Sequence, residues 1–255
     1  MIRHEIRGHT AFITIDNPPA NTWTPDALRA LAALVPKLEA DRAVYAAVIT
    51  GSGGKFFSAG AELAHFRGDK ATARDFIGRF AAAFGPLMDA RFVTVAAING
   101  YAMGGGLECA LCCDIRIAEE HAQMGLPEPA VGLLPGGSGT QNLPWLVGEG
   151  WAKRMILTNE RVDAGTALRI GLIEEVVARG KALEAATALT ERVATLSPRA
   201  VASCKSLIHN ARNGIARRAG LVLERERFLE LFDHGDRAEG VTAFLEKRKA
   251  QWKND

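Results

Sequence analysis

The stretch that constrains this chain most runs from Phe92 to Glu108, where an apolar run broken only by Thr94 passes through Asn99-Gly100-Tyr101-Ala102-Met103 into Gly104-Gly105-Gly106-Leu107-Glu108. An apolar run of that length is a buried strand and falls far short of a membrane span. The three glycines remove every Cβ from the turn that follows, so another group can approach the backbone closely. A helix starting there leaves its first amides without intrahelical partners. The chain must therefore deliver a buried strand, a bare turn and a carboxylate to one place.

Hydrophobic periodicity supplies the frame around that place. Strands are expected at 12–15, 44–50, 93–98, 115–118 and 173–177. Helices are expected at 25–40, 74–90, 105–113, 138–147, 150–158 and 163–170, the first with Thr24 as its cap and Pro25 at its first position. Such alternation predicts a parallel-rich α/β core. After Gly180 the pattern is helical only, at 183–196, 199–210, 215–232 and 237–249, punctuated by Ser197-Pro198, Asn213-Gly214 and His234-Gly235.

A second carboxylate has the marks of a placed group. Glu128 stands between Pro127 and Pro129, which restrict its backbone and let its side chain be aimed. A second bare bend lies in Lys55-Phe56-Phe57-Ser58-Ala59-Gly60-Ala61-Glu62, where a strand ends and a short helix begins. Amides from two such bends can converge on a developing oxyanion, each donor being worth roughly 3 to 4 kcal/mol. Either bend alone reads more simply as an ordinary strand-to-helix turn. The two together, with two aimed glutamates, point to acid and base chemistry beside an oxyanion hole.

Here the chain resembles a known family. Phe57-Ser58-Ala59-Gly60-Ala61-Glu62, Asn99 through Glu108, Cys113-Asp114-Ile115-Arg116-Ile117-Ala118, Leu126-Pro127-Glu128 and Gly136-Gly137-Ser138-Gly139-Thr140-Gln141 are similar, in order, to the crotonase superfamily and specifically to enoyl-CoA hydratases. The likeness runs from about Phe12 to Trp252 and includes Phe244 through Lys249. It implies an α/β fold, a crotonase-like ββα spiral core over 1–195, and a C-terminal all-helical oligomerisation extension over 196–255 that forms a trimer or a dimer of trimers. It also implies that Ala61 and Gly105 supply the oxyanion amides and that Glu108 and Glu128 are the hydratase pair. Glu128 would be the acid at C2, with Glu108 orienting and activating water. Ala59, Glu62, Leu63 and Gly104 would line the acyl-CoA site with them, and Phe244 and Lys247 would reach a neighbouring subunit's site. Glu62 departs from the family's usual aspartate, which leaves the Ala61 amide untouched. The reaction implied is addition of water to a trans-2-enoyl-CoA thioester, with no metal or cofactor because CoA is part of the substrate.

Composition and rival motifs narrow the choice. With 255 residues, 48% of them hydrophobic, the chain can bury a large core, and a net charge of +2 provides no field to attract nucleic acid or membranes. Met1 to Glu5 enters a strand without a targeting segment, so a cytoplasmic enzyme is expected. Cys109, Cys112 and Cys113 are read as close-packed core thiols in a reducing compartment, and His121 completes no metal-ligand spacing with them. From the residues alone, Lys247-Arg248-Lys249 reads more simply as a solvated basic face. The segment at Gly51 to Phe56 fails as a phosphate loop, because Ile49 and Phe56 occupy its essential glycine and hydroxyl positions. Thr140 breaks a hydrolase elbow around Ser138, and 13–28 lacks a dinucleotide fingerprint. Two alternatives stay open, a Δ3,Δ2-enoyl-CoA isomerase and an inactive acyl-CoA-binding scaffold. Isomerisation can work with the carboxylate at Glu128 alone, so Glu108 is the residue that discriminates.

Overall fold

The computed structural model describes residues 1–254. In chain order they form β1 (Ile2–Arg7), β2 (Thr10–Ile15), α1 (Pro25–Ala40), β3 (Ala46–Gly51), β4 (Phe56–Ser58), α2 (Lys70–Asp89), β5 (Val93–Ile98), β6 (Tyr101–Met103) and α3 (Gly105–Leu111). There follow β7 (Ile115–Glu119), β8 (Gln123–Gly125), α4 (Gly139–Leu157), β9 (Val162–Asp163), α5 (Ala164–Arg169) and β10 (Glu175–Val177). The chain closes with α6 (Ala182–Val193), α7 (Pro198–Arg212), α8 (Arg217–Glu230) and α9 (Gly235–Leu245).

Two sheets share these strands, in the orders β1-β2-β3-β5-β7-β10 and β4-β6-β8-β9. Each of the successive units β3-β4-α2, β5-β6-α3 and β7-β8-α4 therefore places one strand in each sheet before its helix. Parallel pairing of β3 with β5 and β5 with β7, matched by β4 with β6 and β6 with β8, stacks the units one on the next. That is the ββα spiral the motifs imply. The apolar run in β5 is buried on both faces: Ala96 and Ile98 join the main core, while Val93, Val95 and Ala97 pack on the other side with Ala182 and Ala186 of α6. A strand covered twice has no polar face to show, which is why its sequence does not alternate.

Local chemistry sets the helix ends. Thr24 accepts the Ala27 amide at 3.1 Å and Pro25 opens α1, whose Leu28, Leu31, Val35 and Leu38 are buried on one face. Asp69 accepts the Thr72 amide, so α2 begins at Lys70, four residues before its apolar face suggests. Its Phe76, Phe80 and Phe84 stack edge to face, and Phe84 meets Trp23 in the same manner. Gly148, at φ 75 and ψ 162, kinks α4 into the two segments expected.

The C-terminal helices divide into a tied part and a bare part. Lys205 of α7 is buried and donates to the Phe92 carbonyl at 3.0 Å and to Asp114 at 2.8 Å, fastening α7 to the starts of the interior strands β5 and β7. No residue of α8 is buried, and Phe228 and Leu229 on it and Phe232 just after it stand exposed. The last helix ends at Leu245 rather than at 249. Lys247 adopts φ 56, and Lys247 and Arg248 donate back to the Phe244 and Ala243 carbonyls, the bonding of a left-handed helix stop. No helix among the described residues is long and apolar enough to cross a membrane.

Candidate active site

The two bare bends meet where the spiral's strands end. After β4, Trp23 forms a single parallel bridge to Ala61, donating its amide to the Gly60 carbonyl at 2.8 Å and accepting the Glu62 amide at 3.1 Å. Those bonds flank Ala61, whose own amide consequently points away from Trp23. Gly60 sits at φ 92, and a Cβ on it would lie 2.6 Å from the Met103 carbonyl and 3.1 Å from the Gly105 nitrogen, so this bend rests directly on the glycine turn. Gly105 is the first residue of α3, and its amide is one of the donors a helix start leaves unpaired. The carbonyl of Gly105 accepts the Trp23 indole N–H at 3.1 Å.

A cleft of about 1020 Å³ opens over these bends. Ala59, Ala61, Glu62, Leu63, Gly104, Gly105, Glu108 and Glu128 all line it, so the structure gathers eight of the ten residues singled out from the sequence. Apolar side chains of Phe66, Ile77, Phe80 and Leu133 form much of its wall, and Lys70, Arg74 and Arg161 add positive charge. Phe244, 83% exposed, and Lys247 do not line the cleft of their own chain.

The glutamates are held differently. Glu108, one turn into α3, is 2% exposed, and its Oε1 accepts the amides of Gly137 and Gly139, both at 2.8 Å. Burial raises its pKa to about 7, with Glu128 adding repulsion and the two amides pulling the other way. Glu128 opens a single 3-10 turn (Glu128–Val131) behind Pro127. Its Oε1 lies 3.0 Å from where a Cβ on Gly104 would stand, and its Oε2 is buried without a hydrogen-bond partner. Burial again pushes its proton affinity up.

The loop that grips Glu108 lay outside the acid–base assignment from sequence, although its Gly-Gly-Ser-Gly pattern was a visible signal. Ser138 adopts φ 93, a conformation that L-residues rarely take, and this turns the amides on either side of it toward one oxygen. Its hydroxyl accepts from Asn142 at 3.0 Å and lies 3.2 Å from the Cys112 sulfur. Burial drives the Cys112 thiol up to about 12, and the Cys109 and Cys113 thiols also upward, so all three are protonated packing groups as their helical spacing predicted.

The family described as enoyl-CoA hydratase/isomerase matches residues 5–255. A short-chain-enoyl-CoA hydratase of Clostridium acetobutylicum is 36% identical over 97% of this chain and 95% of its own length. A crotonyl-CoA hydratase of Syntrophomonas wolfei is 38% identical over 95% of this chain and 94% of its own. Among solved structures, DspI of Pseudomonas aeruginosa superposes with a TM-score of 0.96 at 61% identity, covering 99% of this chain and 96% of that one. The chain belongs to the enoyl-CoA hydratase/isomerase family.

Proposed function

We propose that this enzyme adds water across the 2,3 double bond of a trans-2-enoyl-CoA thioester, giving the 3-hydroxyacyl-CoA. The observation that carries this reading is a pair of glutamates, Glu108 buried and Glu128 half-buried, both with raised proton affinity, facing one cleft beside two amides that have no structural duty. Ala61 and Gly105 would hold the thioester carbonyl and the enolate charge that develops as C3 is attacked. Glu108, with a pKa of about 7 and one oxygen already fixed by the Gly137 and Gly139 amides, is suited to take a proton from water. Glu128, whose unpaired oxygen disfavours the charged form, is suited to deliver a proton to C2.

An isomerase shifts a proton between C2 and C4 and needs one carboxylate. The fixed placement of Glu108 favours hydration, because managing both protons of a water takes two groups. Comparing initial rates on crotonyl-CoA and on a trans-3-enoyl-CoA tests the choice: faster conversion of crotonyl-CoA supports it, and faster conversion of the 3-enoyl substrate overturns it.

For assembly, the proposal is a trimer, alone or stacked in pairs, built by the region 196–255. Its exposed Phe228, Leu229 and Phe232 supply the apolar surface such contacts bury. Phe244 and Lys247 would then meet the pantetheine and phosphates of CoA bound to a neighbour.

A further inference from the structure

Trp23 touches both bends of the cleft at once and contributes to neither glutamate. It is fully buried, its main chain bonds on both sides of Ala61, and its indole N–H holds the Gly105 carbonyl. The segment before it is pinned as firmly. Asn21 donates to the Ser52 and Phe56 carbonyls, Asn17 donates to the Thr22 carbonyl, and Ala20 accepts the Ala59 amide. On its other side Thr24 caps α1, so Trp23 cannot move without unseating a helix start. Phe84 closes on the indole edge to face at 5.4 Å, fixing the ring as well.

We propose that Trp23 is the positioning residue of the oxyanion site, one side chain and its own backbone setting the separation of the Ala61 and Gly105 amides. A rigid spacer is what such a site requires, because donors serve a developing charge only where they already point at it. Leucine or methionine would leave part of the indole's volume empty and remove the side-chain bond to the Gly105 carbonyl, and the glycine turn would lose its side-chain tie to the Ala61 bend. The inference rests on the assignment of those two amides as the oxyanion donors.

The test replaces Trp23 in two ways. Trp23→Phe keeps an aromatic ring and removes the N–H. Incorporation of benzothienylalanine at 23 keeps the shape of the indole and exchanges only N–H for sulfur, so it remains informative if the phenylalanine variant folds poorly. Both are assayed for crotonyl-CoA hydration and for the red shift of a bound cinnamoyl-CoA thioester, whose absorption moves to longer wavelength as its carbonyl is polarised. The expected result is a kcat lower by about tenfold, less than the roughly 10²- to 10³-fold that loss of a whole donor costs, with KM within about twofold and a smaller red shift. An unchanged red shift in the benzothienyl variant overturns the positioning role, even if stability falls. If wild type itself gives no red shift and Gly105→Pro stays active, the fault lies with the oxyanion assignment instead.

Discussion

Glu108 and Glu128 face the same cleft from unlike supports. Glu108 rides on a helix, and a loop 29 to 31 residues away closes two amides on one of its oxygens. Glu128 rides on one short turn between prolines, with an oxygen buried and bonded to nothing. Amide bonds stabilise the charged form of a carboxylate, and desolvation without bonds destabilises it. At Glu108 desolvation outweighs the two amides, so what separates the proposed base from the proposed acid is one oxygen held fixed against one left open, and that difference is made by residues that carry no charge.

The largest expected effect separates the pair from the rest of the cleft. Glu108→Gln and Glu128→Gln should each lower kcat for hydration by on the order of a thousandfold, within the range of general acid and base contributions, while KM changes little. The double variant should be hardly worse than either single one, since groups that act together are not additive. Near-wild-type turnover in both single variants would remove the comparison's chemical meaning.

Next in size is the proposed oxyanion donor, the Gly105 amide beside both glutamates. Gly105→Pro deletes the amide at a helix position that proline ordinarily tolerates, and the expected loss is about 10²- to 10³-fold. Gly105→Ala is the control, because it keeps the amide and shares the crowding against Phe80, whose ring lies 2.8 Å from the added Cβ. The ratio of the two rates isolates the donor. Equal rates would place the carbonyl elsewhere.

The sequence showed some of this arrangement more readily than other parts. Helix α1 was legible to the residue because Thr24 and Pro25 mark its start locally. In the second sheet a strand ending at the Gly60 bend was legible, but Tyr101–Met103 and Gln123–Gly125 are three residues each and Val162–Asp163 two, too short for any alternation to register. They exist because a neighbour pairs with them. Glu108 and Glu128 were visible through the glycines and prolines beside them in sequence. The amides of Gly137 and Gly139 and the indole of Trp23 were not, since each reaches its partner from 29 to 82 residues away. Periodicity reports faces and ends of elements, whereas a site's finer geometry is made by contacts between elements.

A pH titration sharpens the comparison at moderate scale. Activity should fall as pH drops through about 7, where Glu108 takes up a proton and ceases to be a base. Stability carries a matching signature. A carboxyl raised from 4.5 to about 7 in the folded state favours folding below pH 4.5 and loses that advantage as pH rises to about 7, beyond which the cost stays constant at roughly 3 kcal/mol. Glu108→Gln lacks that ionisation. Its unfolding temperature should therefore exceed that of wild type at pH 8 by more than at pH 4, and a constant difference would show that the buried charge is not there.

The smallest effect concerns a residue far from both carboxylates in its own chain. Lys247 occupies the left-handed stop of α9, a position glycine fills without strain. Lys247→Gly should therefore leave the helix end and the assembly intact while removing one positive charge, which makes it a cleaner probe than truncation. If the charge faces a neighbour's CoA phosphates, KM for crotonyl-CoA should rise about two- to fivefold, the scale of one exposed ion pair, and the effect should fade at high salt. The acid limb of the pH profile should stay where it is, because Glu108 and the amides that tune it lie in the other region. Truncation before Arg237 should go further, loosening assembly as seen by light scattering at micromolar concentration and raising KM more. A trimer or hexamer that keeps its KM after Lys247→Gly at low salt would take this lysine out of the site, and a fully active monomer after the truncation would confine the whole reaction to one chain.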